Sequence, residues 1–142
     1  MKLKQLLEGI SYKVQQGNAE LEISEIQYDS RKVEKDSLFV CITGFQTDGH
    51  KYIPMAVEKG AAALLCEHEV ENVPAGVTVI VTENNRKALA VVSANFYGHP
   101  SREMHAIGVT GTNGKTSTTY LMKSILDRVG GKVGIVGTIE NR

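Results

Sequence analysis

Gly108-Val109-Thr110-Gly111-Thr112-Asn113-Gly114-Lys115-Thr116 is the stretch on which the reading of this chain turns. A backbone that wraps an anion needs residues without a Cβ where its N–H groups turn inward. A helix N-terminus beyond them adds unpaired donors and a favourable dipole. Gly111 and Gly114 meet the first condition, and Lys115 to about Val129 reads as the helix that meets the second. Lys115 brings a positive charge to β- and γ-phosphates, and the Thr116 hydroxyl falls where a loop of this kind ligates Mg²⁺. Ala106 to Thr110 reads as the preceding strand, so the loop sits between strand and helix as phosphate binding requires. The spacing departs from G-x-x-x-x-G-K-[ST] at one place, because Val109 stands five residues before Gly114. The GxGxxG spacing of a dinucleotide loop is absent.

Downstream of the loop, Gly130-Gly131 is a turn and Val133 to Gly137 a second strand. A parallel strand pair with one crossover helix cannot cover both faces of its sheet. Residues 102–142 are therefore expected to be the incomplete start of a second, phosphate-binding domain. Upstream, Gly98-His99-Pro100-Ser101 is a cluster of breakers and marks the boundary of a first domain, 1–101.

Within that first domain Lys2 to Glu8 has the apolar spacing of a short helix, ended by Gly9. Leu21, Ile23 and then Ile26, Tyr28 alternate with a phase break that predicts a strand with a bulge at Ser24-Glu25. Leu38 to Ile42 is a continuous apolar run, typical of a strand buried on both faces. Tyr52 to Lys59 reads as a helix, Ala62 to Cys66 as the next strand, and Thr78 to Val81 as another. Strand, loop, helix and strand at this spacing make a parallel, right-handed βαβ unit. Asn84 or Asn85 caps a helix running to Phe96-Tyr97. The fold class is α/β: a small N-terminal domain with a parallel βαβ core, then the first βαβ of a P-loop domain.

Composition narrows the function classes. Among 142 residues, 16 basic side chains balance 16 acidic ones, so no basic excess points to nucleic acid. No apolar run approaches the ~18 residues of a membrane span, and Met1-Lys2-Leu3-Lys4-Gln5 leads into no signal-peptide core. A cytoplasmic monomer is expected. Cys41 and Cys66 lie inside apolar runs rather than in a CxxC pair and read as inert buried thiols. His50, His68, His99 and His105 are scattered without metal-ligand spacing, and Glu67-His68-Glu69-Val70-Glu71 reads as a solvated loop. Asp29 and Ser30 favour local side-chain to backbone bonding at a strand exit, with Arg31 as an ion-pair partner of Asp29.

The loop Gly108 to Thr116 resembles the ATP loop of the Mur ligases, the amide-forming enzymes of peptidoglycan precursor synthesis. Asp29-Ser30-Arg31, Ser37-Leu38-Phe39-Val40 and Gly44-Phe45-Gln46-Thr47-Asp48-Gly49-His50 resemble the first domain shared by the MurE and MurF types. Thr112 and Gly137-Thr138-Ile139 favour the MurE type. The resemblance spans essentially the whole chain. It implies that Gly111, Thr112, Asn113, Gly114, Lys115, Thr116 and Ser117 bind ATP, with Thr116 on Mg²⁺. It also implies that Tyr28, Ser30, Phe45, Gln46 and Thr47 contact UDP-N-acetylmuramoyl-L-alanyl-D-glutamate.

The expected reaction phosphorylates the D-glutamyl carboxylate. The amine of a diamino acid, meso-diaminopimelate or L-lysine, then attacks the acyl phosphate. No acidic metal-binding strand follows the loop within these residues, so this stretch alone is expected to be inactive. A MurF-type ligase and a non-catalytic nucleotide or UDP-sugar binding module are the alternatives.

Overall fold

Leu38, Phe39, Val40 and Cys41 are all at most 1% exposed, and they lie in and just beyond a strand whose two faces both meet helices. A computed structural model describes residues 1–44 and 47–138, and divides the chain into Met1–Glu103 and Met104–Arg142. Phe45, Gln46 and the segment 139–142 lie outside the described residues.

In the first unit β1 (Lys13–Gln16), β2 (Glu25–Gln27), β3 (Ser37–Val40), β4 (Ala61–Cys66) and β5 (Thr78–Val81) form one sheet in the order β1-β5-β4-β3-β2. The β2, β3, β4 and β5 pairings are parallel, and β1 joins β5 antiparallel at the edge. Side chains alternate between the faces of a strand. Leu38, Val40, Ala63, Leu65 and Ile80 therefore meet α1 (Leu3–Leu6) and α3 (Asn85–Phe96) through Leu3, Leu6, Leu7, Ala88 and Val92. Phe39, Cys41, Leu64, Cys66 and Val79 meet Ile53 and Ala56 of α2 (Ile53–Glu58) on the other side. Each of the larger side chains buried in these layers contributes about 1.5–3 kcal/mol.

The parallel βαβ core agrees with the sequence reading, while several details differ. The N-terminal helix is shorter than the apolar spacing suggested, ending at Leu6. Asn95 of α3 donates its side-chain amide to Leu6 O at 2.9 Å and Glu8 O at 3.0 Å, which satisfies the carbonyls that the short helix leaves open. The phase break near Ser24 is a change of partner rather than a bulge. Leu21 and Ile23 pair with the N-terminus through Leu3 N–H to Leu21 O and Ile23 N–H to Met1 O, and β2 begins only at Glu25. Strand β1 was not expected, because Lys13-Val14-Gln15-Gln16 has a single apolar residue. The Gln15 and Gln16 amides hold it, donating to Val70 O and to Pro74 O and Val77 O.

In the second unit Gly114, at φ 75°, opens α4 (Lys115–Arg128). Among the described residues the strands expected before and after this helix are not seen: residues 105–110 and 131–135 carry no regular secondary structure, and Val136 has a single β-bridge. A strand buried on both faces needs a covering layer on each. Ile107 at 60%, Ile125 at 63% and Val136 at 88% exposure lack one.

Asn85 joins the strand ends of the first unit. Wholly buried, it donates to Cys41 O at 2.7 Å and Leu65 O at 2.8 Å, and accepts from the Thr82 hydroxyl at 2.7 Å. Its neighbour Asn84 caps α3 by accepting from Lys87 N–H at 2.9 Å. Asn85→Ala removes the side-chain donor of Cys41 O and one of the two donors of Leu65 O, which keeps the Cys41 N–H, and is expected to cost roughly 2–3 kcal/mol. Asn84→Ala is expected to cost about 1 kcal/mol. Urea unfolding of both variants checks the order, and equal losses would remove the role given to Asn85.

Candidate functional site

Because β2 and β3 run parallel, the segments that leave their carboxyl ends emerge on the same edge of the sheet. Ligands of open α/β sheets bind at such edges. The turn Ser30–Lys32 follows β2, and the loop leading to the turn Gly49–Tyr52 follows β3. Both turns pack on α2.

Asp29 shapes the first turn. Its Oδ1 accepts from Arg31 N–H at 3.0 Å and Nε at 2.9 Å, while Oδ2 pairs with Arg31 Nη2 at 2.7 Å. The local bonding and the ion pair read from the sequence are thus both present. Ser30 is 7% exposed, and its hydroxyl donates to Met55 Sδ at 3.4 Å. Tyr28, by contrast, is 67% exposed. Thr47 is exposed, its hydroxyl lying 3.3 Å from Tyr52 Oη. Gly44 N–H donates to Thr47 O at 2.9 Å, closing the loop on itself. Ser30 thus opens a turn packed on α2, and Thr47 lies in the loop that leads to the turn preceding α2. Phe45 and Gln46, the other two residues expected here, lie outside the described residues.

In the second unit, Gly114 holds a left-handed conformation that a residue with a Cβ adopts only with strain. A Cβ there would meet open space, so the constraint is backbone geometry and not crowding. The turn delivers the chain into α4 with no side-chain cap, leaving the first helical N–H groups available to an anion. Lys115 Nζ folds back onto Gly111 O. Beside the loop is a cavity of about 180 Å³ lined by Val109, Lys115, Thr116, Thr119, Tyr120 and Thr138, among others. Gly111, Thr112, Asn113 and Ser117 are exposed along the same loop and first helical turn.

A third cluster was not legible in the sequence. Cys41 Sγ and Cys66 Sγ are 3.9 Å apart and wholly buried, and a ring nitrogen of His50 lies within 4.8 Å of both. His50 is not a scattered histidine. Its Nδ1 is 2.6 Å from Asp48 Oδ1, Glu67 N–H donates to its Nε2 at 3.1 Å, and its ring stacks on His68 at 4.2 Å. Glu67 is likewise no free loop carboxylate, since it accepts from the Thr43 hydroxyl at 2.8 Å and Asn85 N–H at 2.9 Å. The contact with the Cys41 sulfur holds Cys66 below the ordinary thiol range, and His50 adds to the effect. Cys41 is pushed up in turn by that contact and by burial. Cys66 and then Asp48 raise the His50 imidazole against its burial. The Glu67 N–H donated to Nε2 favours the neutral ring instead.

Arg31, through its side chain first and its N–H second, lowers the Asp29 carboxyl to about 2. The folded-state value lies below the unperturbed one of about 3.9, so this stabilisation is present above about pH 4 and is lost as pH falls through 2. A carbon-detected NMR titration is expected to place the Asp29 midpoint near 2, and Arg31→Ala to return it toward 3.9. An unchanged midpoint in the variant would discount the pair as the cause.

Residues 22–97 match the Mur ligase family, catalytic domain, and residues 109–142 match the Mur ligase middle domain. The UDP-N-acetylmuramoyl-L-alanyl-D-glutamate--2,6-diaminopimelate ligase of Clostridium tetani is 49% identical over 143 residues, covering 99% of this chain and 30% of the relative. The chain thus spans about a third or less of the length of the curated relatives it matches. A solved UDP-N-acetylmuramoyl-L-alanyl-D-glutamate--2,6-diaminopimelate ligase superposes with a TM-score of 0.75 at 22% identity, covering 100% of this chain and 28% of that one, a likeness of fold. The MurF ligase of Thermotoga maritima in complex with ADP superposes with a TM-score of 0.55 at 26% identity, over 73% of this chain and 23% of that one. The first domain match alone covers more than half of the 142 residues, and the second follows it in order. This chain belongs to the Mur ligase family.

Proposed function

We propose that this chain is part of an ATP-dependent ligase of the MurE type, which joins a diamino acid to UDP-N-acetylmuramoyl-L-alanyl-D-glutamate through an acyl phosphate. The observation that carries the reading is the 49% identity to a ligase of that name over 99% of the chain. A MurF-type reading has less support, resting on likenesses to solved MurF chains of about 25% identity. 2,6-Diaminopimelate is the amino acid in the relatives' names, and L-lysine is the competing amine.

In this reading residues 1–101 bind the UDP-sugar and residues 102–142 begin the ATP-binding domain. ATP supplies the phosphoryl group that activates the carboxylate. Gly111 to Ser117 surround its phosphates with backbone N–H groups, and Lys115 exchanges its contact with Gly111 O for one with a phosphate oxygen. The open N-terminus of α4 and the exposed loop fit a polyphosphate. Thr116, half-buried at the cavity beside the loop, supplies a hydroxyl to Mg²⁺.

Tyr28, Ser30 and Thr47, with Phe45 and Gln46, hold the UDP-sugar. The partner of the Ser30 hydroxyl is a thioether, a weak acceptor that a ligand oxygen readily replaces. A cytoplasmic monomer belongs to the same proposal. Among the described residues no helix is long and apolar enough to cross a membrane.

Lys123 serves as an internal control, since its Nζ already pairs with Asp127 at 2.7 Å on the same helix. Lys115→Ala is expected to weaken ATP binding by roughly 10- to 100-fold, the equivalent of a lost charge-assisted contact. Lys123→Ala should leave it unchanged. Isothermal titration decides, and equal affinities for the two variants would remove the assignment of the loop. UDP titrated into ¹⁵N-labelled chain is expected to shift the Tyr28, Ser30 and Thr47 amides, and Ser30→Ala to weaken that binding. Shifts confined to other residues would place the sugar nucleotide elsewhere.

A further inference from the structure

We propose that Cys41, Cys66 and His50 form a binding site for a single Zn²⁺ ion, separate from the nucleotide loop and from the residues assigned to the UDP-sugar. Zinc takes thiolate and imidazole ligands in tetrahedral sites, with Zn–S near 2.3 Å, which puts two sulfurs ~3.8 Å apart. The observed separation of 3.9 Å is that of an edge already set for the ion. Cys41 N–H donates to Leu65 O at 2.9 Å, so ladder bonding holds the two thiols side by side at the carboxyl ends of β3 and β4. The sulfurs and one His50 ring nitrogen lie mutually within 4.8 Å, so movements of about an ångström bring all three to ligand distance.

The second layer of contacts supports the same ion. Asp48 engages Nδ1 of His50 at 2.6 Å, leaving Nε2 as the ligating atom. A carboxylate on the far nitrogen is the usual support of a zinc-bound histidine, fixing ring orientation and raising basicity. Asp48 is itself anchored, accepting from His50 N–H at 3.0 Å. Binding replaces the Glu67 N–H contact at Nε2 and releases the protons of both thiols, Cys41 and Cys66, to solvent.

Access comes from a groove of about 870 Å³ lined by His50, Lys51, His68, Glu69, Asn72 and Pro74. His50 belongs to both the groove and the sulfur pair, so its ring is the way in, and water from the groove fills the fourth position. Two thiolates and one imidazole favour zinc over the hard Mg²⁺ ion that serves ATP.

The test uses the intact 142-residue chain under reducing conditions, with Co²⁺ as a spectroscopic stand-in and Zn²⁺ as the ion itself. Co²⁺ is expected to bind one per chain and to give the near-ultraviolet thiolate charge-transfer band of two sulfur ligands, together with the visible bands of a tetrahedral site. Added Zn²⁺ should bleach both. Cys66→Ser and His50→Ala should weaken binding at least 10-fold, while His68→Ala leaves it within a factor of two. X-ray absorption on the zinc-loaded, unaltered chain keeps the test independent of how the variants fold: two sulfur ligands are expected. No bound zinc, zinc with only oxygen and nitrogen ligands, or a cobalt spectrum without a thiolate band would each overturn the site. The same holds if the sole chemistry of the pair is a disulfide formed in air.

Discussion

Parallel strands whose two faces are both apolar cannot stand in water, and this constraint organises the first unit. β3 and β4 are buried almost throughout, so each face of the sheet requires a helical layer. The crossover between β3 and β4 supplies α2 on one face. The two ends of the unit, α1 and α3, cover the other. Since α1 is only four residues long, it is held less by its own helical bonds than by burial of Leu3 and Leu6 and by the Asn95 amide at its end. Chain ends and crossover are thereby committed to positions around the sheet, and the polar segments are left for its edges.

That same constraint places function. With the apolar residues used up in covering the sheet, the carboxyl edge receives the segments rich in polar side chains: the turn at Ser30, the loop through Thr47, and the stretch from Glu67. The edge is also where buried polar groups must be satisfied most carefully, since strand ends expose carbonyls beneath a lid of side chains. Asn85 serves the carbonyls of Cys41 and Leu65, and Glu67 links Thr43 to the start of α3. No buried side-chain nitrogen or oxygen among the described residues lacks a partner. The cysteine–histidine cluster sits at this edge, where sulfur tolerates the burial and Asp48 orients the ring.

The second unit works by a different principle. Its chemistry is local: a left-handed Gly114, a helix start and a lysine one residue on make an anion site from consecutive residues. Such a site needs little tertiary support, and α4 forms even though Leu121 and Ile125 on its surface are exposed. The neighbouring segments do need that support. They stay irregular because a strand derives its stability from partners on either side and layers above and below.

Residues close together in the chain thus account for what is legible from the order of amino acids alone. The helix after Gly114, a cap at Asn84 or Asn85, the apolar runs of β3, β4 and β5, and the ion pair of Asp29 with Arg31 all follow from neighbour-to-neighbour physics. The parallel α/β core was legible for the same reason, because runs buried on both faces joined by a helix leave few alternatives. β1 was not legible, since Lys13-Val14-Gln15-Gln16 owes its pairing to amides reaching the distant residues 70, 74 and 77 rather than to apolar alternation. Nor was the Cys41–His50–Cys66 cluster, whose cysteines stand 25 residues apart in sequence. Only the in-register pairing of parallel strands brings their sulfurs to 3.9 Å, and only a turn nucleated by Asp48 swings His50 over them. Contacts that depend on long loops closing are decided by tertiary packing, because short-range patterns carry no record of which ends will meet.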